Sequence, residues 1–347
     1  MSSMRSRAVA PAPPRSTRPT AVAATPTQLR VATELFARRT RRPRFHRGTG
    51  PALRDLLEDG LGPLVTDRRA DDPLVLAKRT LAHVETCEGL VVAERAVGFA
   101  WSTAAGRGAV AHKAVELSMT LRVCPAPLDL VDLAIERLID GDRGIRGWLL
   151  DLPPAERAEL RGAAADWVVK FQDTFPVLQP AWRPRLESLL TVDLCGGRVL
   201  LRGKVDLALG RPEGTQARVL IVDFKSGRPQ AVHAADLGFY ALLETIRVGV
   251  PPYRLATFSL DSGAWAAEDV DPGVLGAAAR RTVEAAARIV AVDRGGAPKL
   301  RPGPACRWCP AAAHCPAAPA ASAPRGCADA RVALAMPSAS RALSMSG

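Results

Sequence analysis

Residues 199–225 constrain this chain most. Two runs rich in branched apolar residues, Val199–Leu209 and Val219–Lys225, flank a polar segment that holds Gly210, Pro212 and Gly214. Apolar runs around turn residues predict a β-hairpin. Charges fall where the apolar pattern should continue: Asp206 interrupts the first run, and Asp223 and Lys225 close the second. Side chains two apart on a strand share a face, so Asp223 and Lys225 look out together, and a hairpin can bring Asp206 beside them. Carboxylates and an ammonium on an apolar sheet are costly to bury without compensation. A divalent metal with a phosphate would compensate, because hard cations take oxygen ligands and Mg²⁺ often keeps one or two carboxylates plus substrate phosphate. On the hairpin alone, ordinary ion pairs of Asp206 with Lys204 or Asp223 with Lys225 are an equal alternative.

Gly203-Lys-Val-Asp206, Val222-Asp223-Phe-Lys225-Ser-Gly227 and then Tyr240 resemble, in order and spacing, the core of PD-(D/E)xK nucleases of the RecB-like exonuclease family, which includes the CRISPR-associated RecB-like exonucleases. Upstream, Gly106-Arg-Gly-Ala-Val-Ala-His112 resembles that family's first motif, a glycine turn followed by a histidine on a helix. The resemblance implies a restriction-endonuclease-like α/β fold: a small mixed sheet flanked by helices, with a helical insert and a C-terminal cysteine clasp. It implies catalytic roles for Lys225, Asp206, Asp223 and Tyr240. It also implies Mg²⁺ or Mn²⁺ held by His112, Asp206 and Asp223, with the Phe224 carbonyl a further ligand. A neutral imidazole suits manganese better than magnesium. Glu116 shares the His112 helix face, and Glu187 is a surface acid that could reach the site edge. The activity implied is metal-dependent hydrolysis of DNA, of exonuclease type, in repair, recombination or defence. One position departs: the family usually has glutamine four residues before the tyrosine, and Asp236 stands there, a carboxylate that cannot donate a hydrogen bond.

Cys306-x2-Cys309-x5-Cys315 lies in a proline-rich segment, residues 303–316. That segment has too few apolar residues to fold alone, and a metal cross-link would order it. A branch of the same family carries such a triple, completed by a distant upstream cysteine, around a 4Fe-4S cluster. Cys87 is the matching candidate and Cys124 the second choice. The rival is a Zn²⁺ site of Cys306, Cys309 and Cys315 with His314 or Cys87.

The implied nuclease domain runs over 83–316, with its helical insert at 125–190. Residues 25–82 read as a helical N-terminal extension, with Thr25, Pro26 and Gln28 as a helix start, Leu53 to Leu61 in one helix and Leu74 to Leu81 in the next. Residues 1–24 read as a disordered basic arm and 317–347 as a disordered tail. The first fifty residues hold eleven arginines and one acid, Glu34, so they carry most of the net charge of +12. A basic end on a balanced body fits a nucleic-acid partner, with Arg41, Arg42, Arg44 and Arg47 as candidate phosphate contacts; a solvated linker or a GC-rich coding bias explains them equally well. No run reaches the ~18 apolar residues of a membrane helix and no leading stretch reads as a secretory signal. An Arg-rich, acid-poor start also fits an organelle transit peptide, but the Ala/Arg/Gly/Pro bias of the whole chain favours a GC-rich bacterial origin, so a cytoplasmic protein is expected. A P-loop is excluded, because Val205 follows Gly203-Lys204 where Ser or Thr is needed. A helicase or a repair or CRISPR protein would be a separate partner. The alternative to an enzyme is a non-catalytic DNA-binding or scaffolding module with a structural zinc or iron–sulfur site.

Overall fold

The computed structural model describes residues 24–36, 42–121, 123, 125–141, 143–227 and 231–319. The expectations for residues 1–23, Arg41, Cys124 and residues 320–347 lie outside the described residues. The first helix, α1 (Pro26–Phe36), starts with a capping box: Thr25 Oγ1 accepts from Gln28 N at 3.1 Å and Gln28 Oε1 accepts from Thr25 N at 2.9 Å. Helix α2 (Thr49–Leu61) buries the stripe Leu53, Leu57 and Leu61, the four-residue spacing of one helix face.

The helix expected through Leu74 and Leu76 is instead strand β1 (Leu74–Ala77). Leu74 and Leu76 are buried while Val75 is exposed, which is period-2 burial; an apolar run this short does not distinguish helix from strand by pattern. Residues 25–82 are therefore not an all-helical extension, since β1 joins the main sheet. The boundary expected at 83 falls inside α3 (Lys78–Thr86).

Next come α4 (Glu88–Val97) and α5 (Thr103–Thr120), then α6 (Pro127–Gly141), α7 (Arg143–Asp151) and α8 (Pro154–Thr174). The expected insert shortens at its end, because β2 (Arg185–Leu194) precedes residue 190. Cys195-Gly196-Gly197, all at positive φ, turn β2 into β3 (Val199–Leu209). Strand β4 (Leu220–Lys225), α9 (Ala231–Val248), β5 (Arg254–Ser259), β6 (Trp265–Asp269) and α10 (Pro272–Asp293) complete the order.

The strands form one mixed six-stranded sheet. Hairpin partner β2 lines one edge of β3 along its length. The other edge is shared: β1 runs parallel beside 199–202, and β4 runs antiparallel beside 207–209. The C-terminal ends of β1 and β4 thus point at each other across a gap beside Gly203–Asp206. Strand β5 continues parallel to β4, and β6 forms the far edge. Helices cover both faces. One core packs α2, α9 and α10 on Leu201, Val205 and Ile221; the other packs α5, α6 and α8 on Leu207, Val222 and Phe224. The fold is mixed α/β, a small sheet between helical layers. Among the described residues no helix is long and apolar enough to cross a membrane.

Candidate active site

The gap in the sheet is where the charges gather. Side chains on β3 change cores between Val205 and Leu207, so Asp206 sits at a twist. Opposite it the β2 ladder skips Glu187, which adopts a left-handed backbone (φ 49°). A non-glycine residue held there is strained, and such strain gathers at functional sites. Asp206 Oδ2 accepts the N–H of Phe224 at 2.7 Å, so a side chain closes the ladder where β1 and β4 part.

Asp223, its side chain 3% exposed, lies between two ammonium groups. Lys225 Nζ is 2.7 Å from Oδ2, and Lys78 Nζ, at the start of α3, donates to Oδ1 at 2.9 Å. The Lys225 contact is off the hydrogen-bond line, so the buried Oδ2 has an ion pair but no hydrogen-bond donor. Tyr240 of α9 is buried, with its ring against Gly203 and the Lys78 ammonium 4.9 Å from its centroid. From the opposite helical layer, α5 brings His112 Nδ1 to 3.8 Å from Asp206 Oδ1. The expected Asp206, Asp223, Lys225, Tyr240 and His112 are thus placed around one gap. Lys78 joins them, and no sequence motif marks it.

The electrostatics follow from burial and pairing. Burial, with Asp223 nearby, pushes the Asp206 carboxyl up to about 7. Burial acts the same way on Asp223, but Lys78 and Lys225 outweigh it and hold that carboxyl below its ordinary value. Burial works against the charge of Lys78, yet Asp223 and Tyr240 hold its ammonium above the usual lysine range. Burial pushes Tyr240 up to about 12 and lowers His112, keeping the imidazole neutral with a lone pair to give. The donor set suits a divalent cation: two carboxylates, one with an oxygen lacking a donor, and a neutral imidazole. Among the described residues no three such groups already stand in ligating positions.

Other expected residues sit elsewhere. The expected glycine turn at Gly106 is helical, because α5 begins at Thr103 with Ser102 Oγ accepting from Ala105 N at 3.2 Å. Gly106 instead admits the Trp148 ring, which would lie 2.1 Å from an added Cβ. Glu116 pairs with Lys113 at 2.5 Å, and Glu187 pairs with Lys204. Asp236 is close to Arg281 of α10, 3.5 Å away, whose guanidinium also holds Glu85 of α3 at 2.7 and 2.8 Å.

Arg42 corrects the expected phosphate contacts. Its guanidinium lies 3.6 Å over the Tyr253 ring and donates to Phe36 O at 2.9 Å, so it is committed to the fold. Arg44 and Arg47 are exposed. Arg44 bridges to Gln216 in the loop before β4, at the opposite end of that strand from Asp223 and Lys225.

A second cluster forms at the C-terminal end. Cys87, at the junction of α3 and α4, lines one cavity with Cys306, Cys309 and Cys315; Leu90, Leu300, Ala305 and Ala312 supply apolar walls. The incoming chain is tied to the α3–α4 junction by Lys299 N donating to Glu88 Oε2 at 2.8 Å and Arg301 Nη1 to Glu85 O at 2.7 Å. Backbone N–H groups of Arg301 and Gly303 point at Cys87 Sγ and Cys306 Sγ, each at 3.4 Å. Burial, and the neighbouring Cys87, Cys315 and Cys306, push the Cys309 thiol up. Among the described residues no three of these thiols already stand in ligating positions either; a thiophilic metal is the ion that such ligands suit. His314 is exposed and does not line the cavity.

No curated protein matches this chain. It is similar to a solved structure described as "Crystal structure of SSO0001", at 14% identity over 76% of this chain and 95% of that one, with a TM-score of 0.32, too slight a likeness to bear on fold or function. The family model for the PD-(D/E)XK nuclease superfamily matches residues 79–316, a span holding His112, both aspartates, Lys225 and the cysteine cluster, and beginning one residue after Lys78. The chain belongs to the PD-(D/E)XK nuclease superfamily.

Proposed function

We propose that this protein is a Mg²⁺- or Mn²⁺-dependent DNA exonuclease of the RecB-like type, with a 4Fe-4S cluster as a structural clasp. The observation that carries the reading is the pair Asp206 and Asp223 at a break in the sheet, with Lys225 on one carboxylate and His112 beside the other. Asp206, Asp223 and His112 would hold the metal, which when bound supplies Lewis acidity and an activated water. The Phe224 N–H fixes the Asp206 carboxylate, so this ligand is oriented before any metal arrives. Lys225 offers a fixed ammonium to the phosphoryl oxygens, where negative charge builds as water attacks phosphorus and the P–O bond to the leaving strand breaks. Tyr240 backs the site from α9 with its ring held on Gly203.

Cys87, Cys306, Cys309 and Cys315 would supply the four thiolates such a cluster takes, tying the segment after α10 to the α3–α4 junction, at the end of α3 opposite Lys78.

Linear and covalently closed circular DNA offered with Mg²⁺ test the activity. Degradation of the linear form alone, lost in Lys225→Ala, is expected; equal cutting of circles would make it an endonuclease, and undiminished cutting by Lys225→Ala would overturn the site. Protein purified without air should absorb broadly in the visible, hold about four irons per chain, and bleach in Cys87→Ala. A colourless, zinc-bearing protein would replace the cluster with a structural zinc site.

A further inference from the structure

Lys78 is left over once the expected site is assembled. Its ammonium is hydrogen-bonded to Asp223 Oδ1 at 2.9 Å, as close to that carboxylate as Lys225 is, and it comes from a different part of the fold. The position is built: β1 ends beside Arg202 of β3, so the next residue, opening α3, must enter the gap that faces Asp223. The Tyr240 ring lies beneath the ammonium, and its own place depends on Gly203.

The charge count changes with Lys78 included. Even with both carboxylates ionised, Asp206 and Asp223 are matched by Lys78 and Lys225, so these four groups carry no net negative charge to attract a divalent cation. A metal that takes Asp223 must do so against two ammonium groups. The Lys78 side chain is 23% exposed, with a flexible four-carbon stem, so its head can leave Asp223 if another anion receives it. A DNA phosphodiester is that anion.

We propose that Lys78 is a displaceable counter-ion that couples metal loading to DNA binding. In the free protein it occupies Asp223 and keeps metal affinity low. When a strand binds, the ammonium passes to a backbone phosphate and Asp223 becomes available to the metal. Lys78 is thus a positioning residue acting through Asp223. The proposal rests on the nuclease reading of Asp206 and Asp223.

The test is Mn²⁺ binding to the full chain, followed by the loss of the free-ion paramagnetic resonance signal, with and without a phosphorothioate DNA oligonucleotide. Wild type should bind Mn²⁺ weakly alone and more tightly with the oligonucleotide. Lys78→Met should bind Mn²⁺ about tenfold more tightly without DNA, because a like charge beside the ligand is gone, and the oligonucleotide should add little. Lys78→Arg keeps the charge and should keep weak binding alone. If Lys78→Met does not fold, Lys78→Gln takes its place. Unchanged or weaker Mn²⁺ binding by the neutral variant overturns the proposal. Asp223→Asn separates the two readings: if it abolishes Mn²⁺ binding while Lys78→Met tightens nothing, only the Lys78 role falls. If no variant binds Mn²⁺ with or without DNA, the nuclease reading falls with it.

Discussion

Gly203→Ala tests whether the Tyr240 ring is fixed by close approach to β3. A Cβ at 203 would stand 2.9 Å from both Cδ1 and Cε1 of Tyr240 and 3.3 Å from Leu243 Cδ2. Real Cβ contacts do not come that near, so something must move. The ring cannot step aside cheaply, because Tyr240 is 3% exposed and packs with Phe239 and Leu243 in the core under α9. Two effects oppose each other. Replacing glycine by alanine narrows the unfolded ensemble and stabilises by about 0.4–1 kcal/mol where the backbone permits, and Gly203 is not at positive φ. Forcing an extra carbon into a packed core costs about 1–3 kcal/mol. The clash wins, and the variant should lose about 1–2 kcal/mol. Urea unfolding of the metal-free protein reads this as a lower midpoint at unchanged slope. A double-mutant cycle with Tyr240→Ala isolates the cause: with the ring gone, Gly203→Ala should become neutral or stabilising. If Gly203→Ala is as stable as wild type, or destabilises equally without the ring, the packing argument is wrong.

The Asp206 carboxyl ordinarily ionises near 3.8 but is raised to about 7 in the fold. Between these values the Asp206 carboxyl binds more protons in the folded state than in the unfolded one, so its contribution to the stability of the metal-free protein should fall as pH rises from about 4 to about 7, opposite in sign to that of His112, whose imidazole burial holds below its ordinary value. In EDTA, the melting temperature of wild type relative to Asp206→Asn should fall as pH rises across that range; parallel profiles would refute the assignment. Asp206→Ala, unlike Asn, also strips the Phe224 N–H of its acceptor and should cost about 1–3 kcal/mol more. Arg42→Ala should cost about 1–2 kcal/mol through the lost Tyr253 and Phe36 contacts and leave the salt dependence of DNA affinity unchanged; a shallower salt slope would restore Arg42 as a phosphate contact. Arg281→Ala leaves Asp236 and Glu85 without their shared cation and should lower stability by about 2–3 kcal/mol, measured by urea unfolding; an unchanged midpoint would show that the cluster contributes nothing.

The hairpin and its charges were legible because Asp206 and Asp223 break apolar alternation where a sheet should have none. The capping box at Thr25 and Gln28 was legible too, since both partners lie within one turn. The cysteine triple stood out in a segment with nothing else to fold it. Strand β1 was not legible, because four residues cannot display a period and its partner lies beyond the helical insert. Lys78 was hidden for the same reason. It meets Asp223 across 145 positions of sequence, and nothing local distinguishes it from the surface lysine it resembles. Arg42 misled in the other direction, since an arginine run looks alike whether its members face DNA or lie on a tyrosine.

Asp236 stands where the RecB-like resemblance leads one to expect a glutamine, and the fold gives its carboxylate partners of its own. In place of a glutamine that could donate, this chain has a carboxylate, and the fold surrounds it with cations: Arg281 approaches at 3.5 Å, and Lys78 and Lys225 both act against the burial that raises its pKa. Arg281 at once holds Glu85 on α3, the helix that begins with Lys78. The acid at 236 and the extra lysine at 78 therefore belong to one charge arrangement spanning α3, α9 and α10. A neutral residue at 236 would leave the two site lysines and Arg281 with one fewer anion among them, so a glutamine introduced there would supply the donor that the resemblance leads one to expect but remove an anion from this charge arrangement.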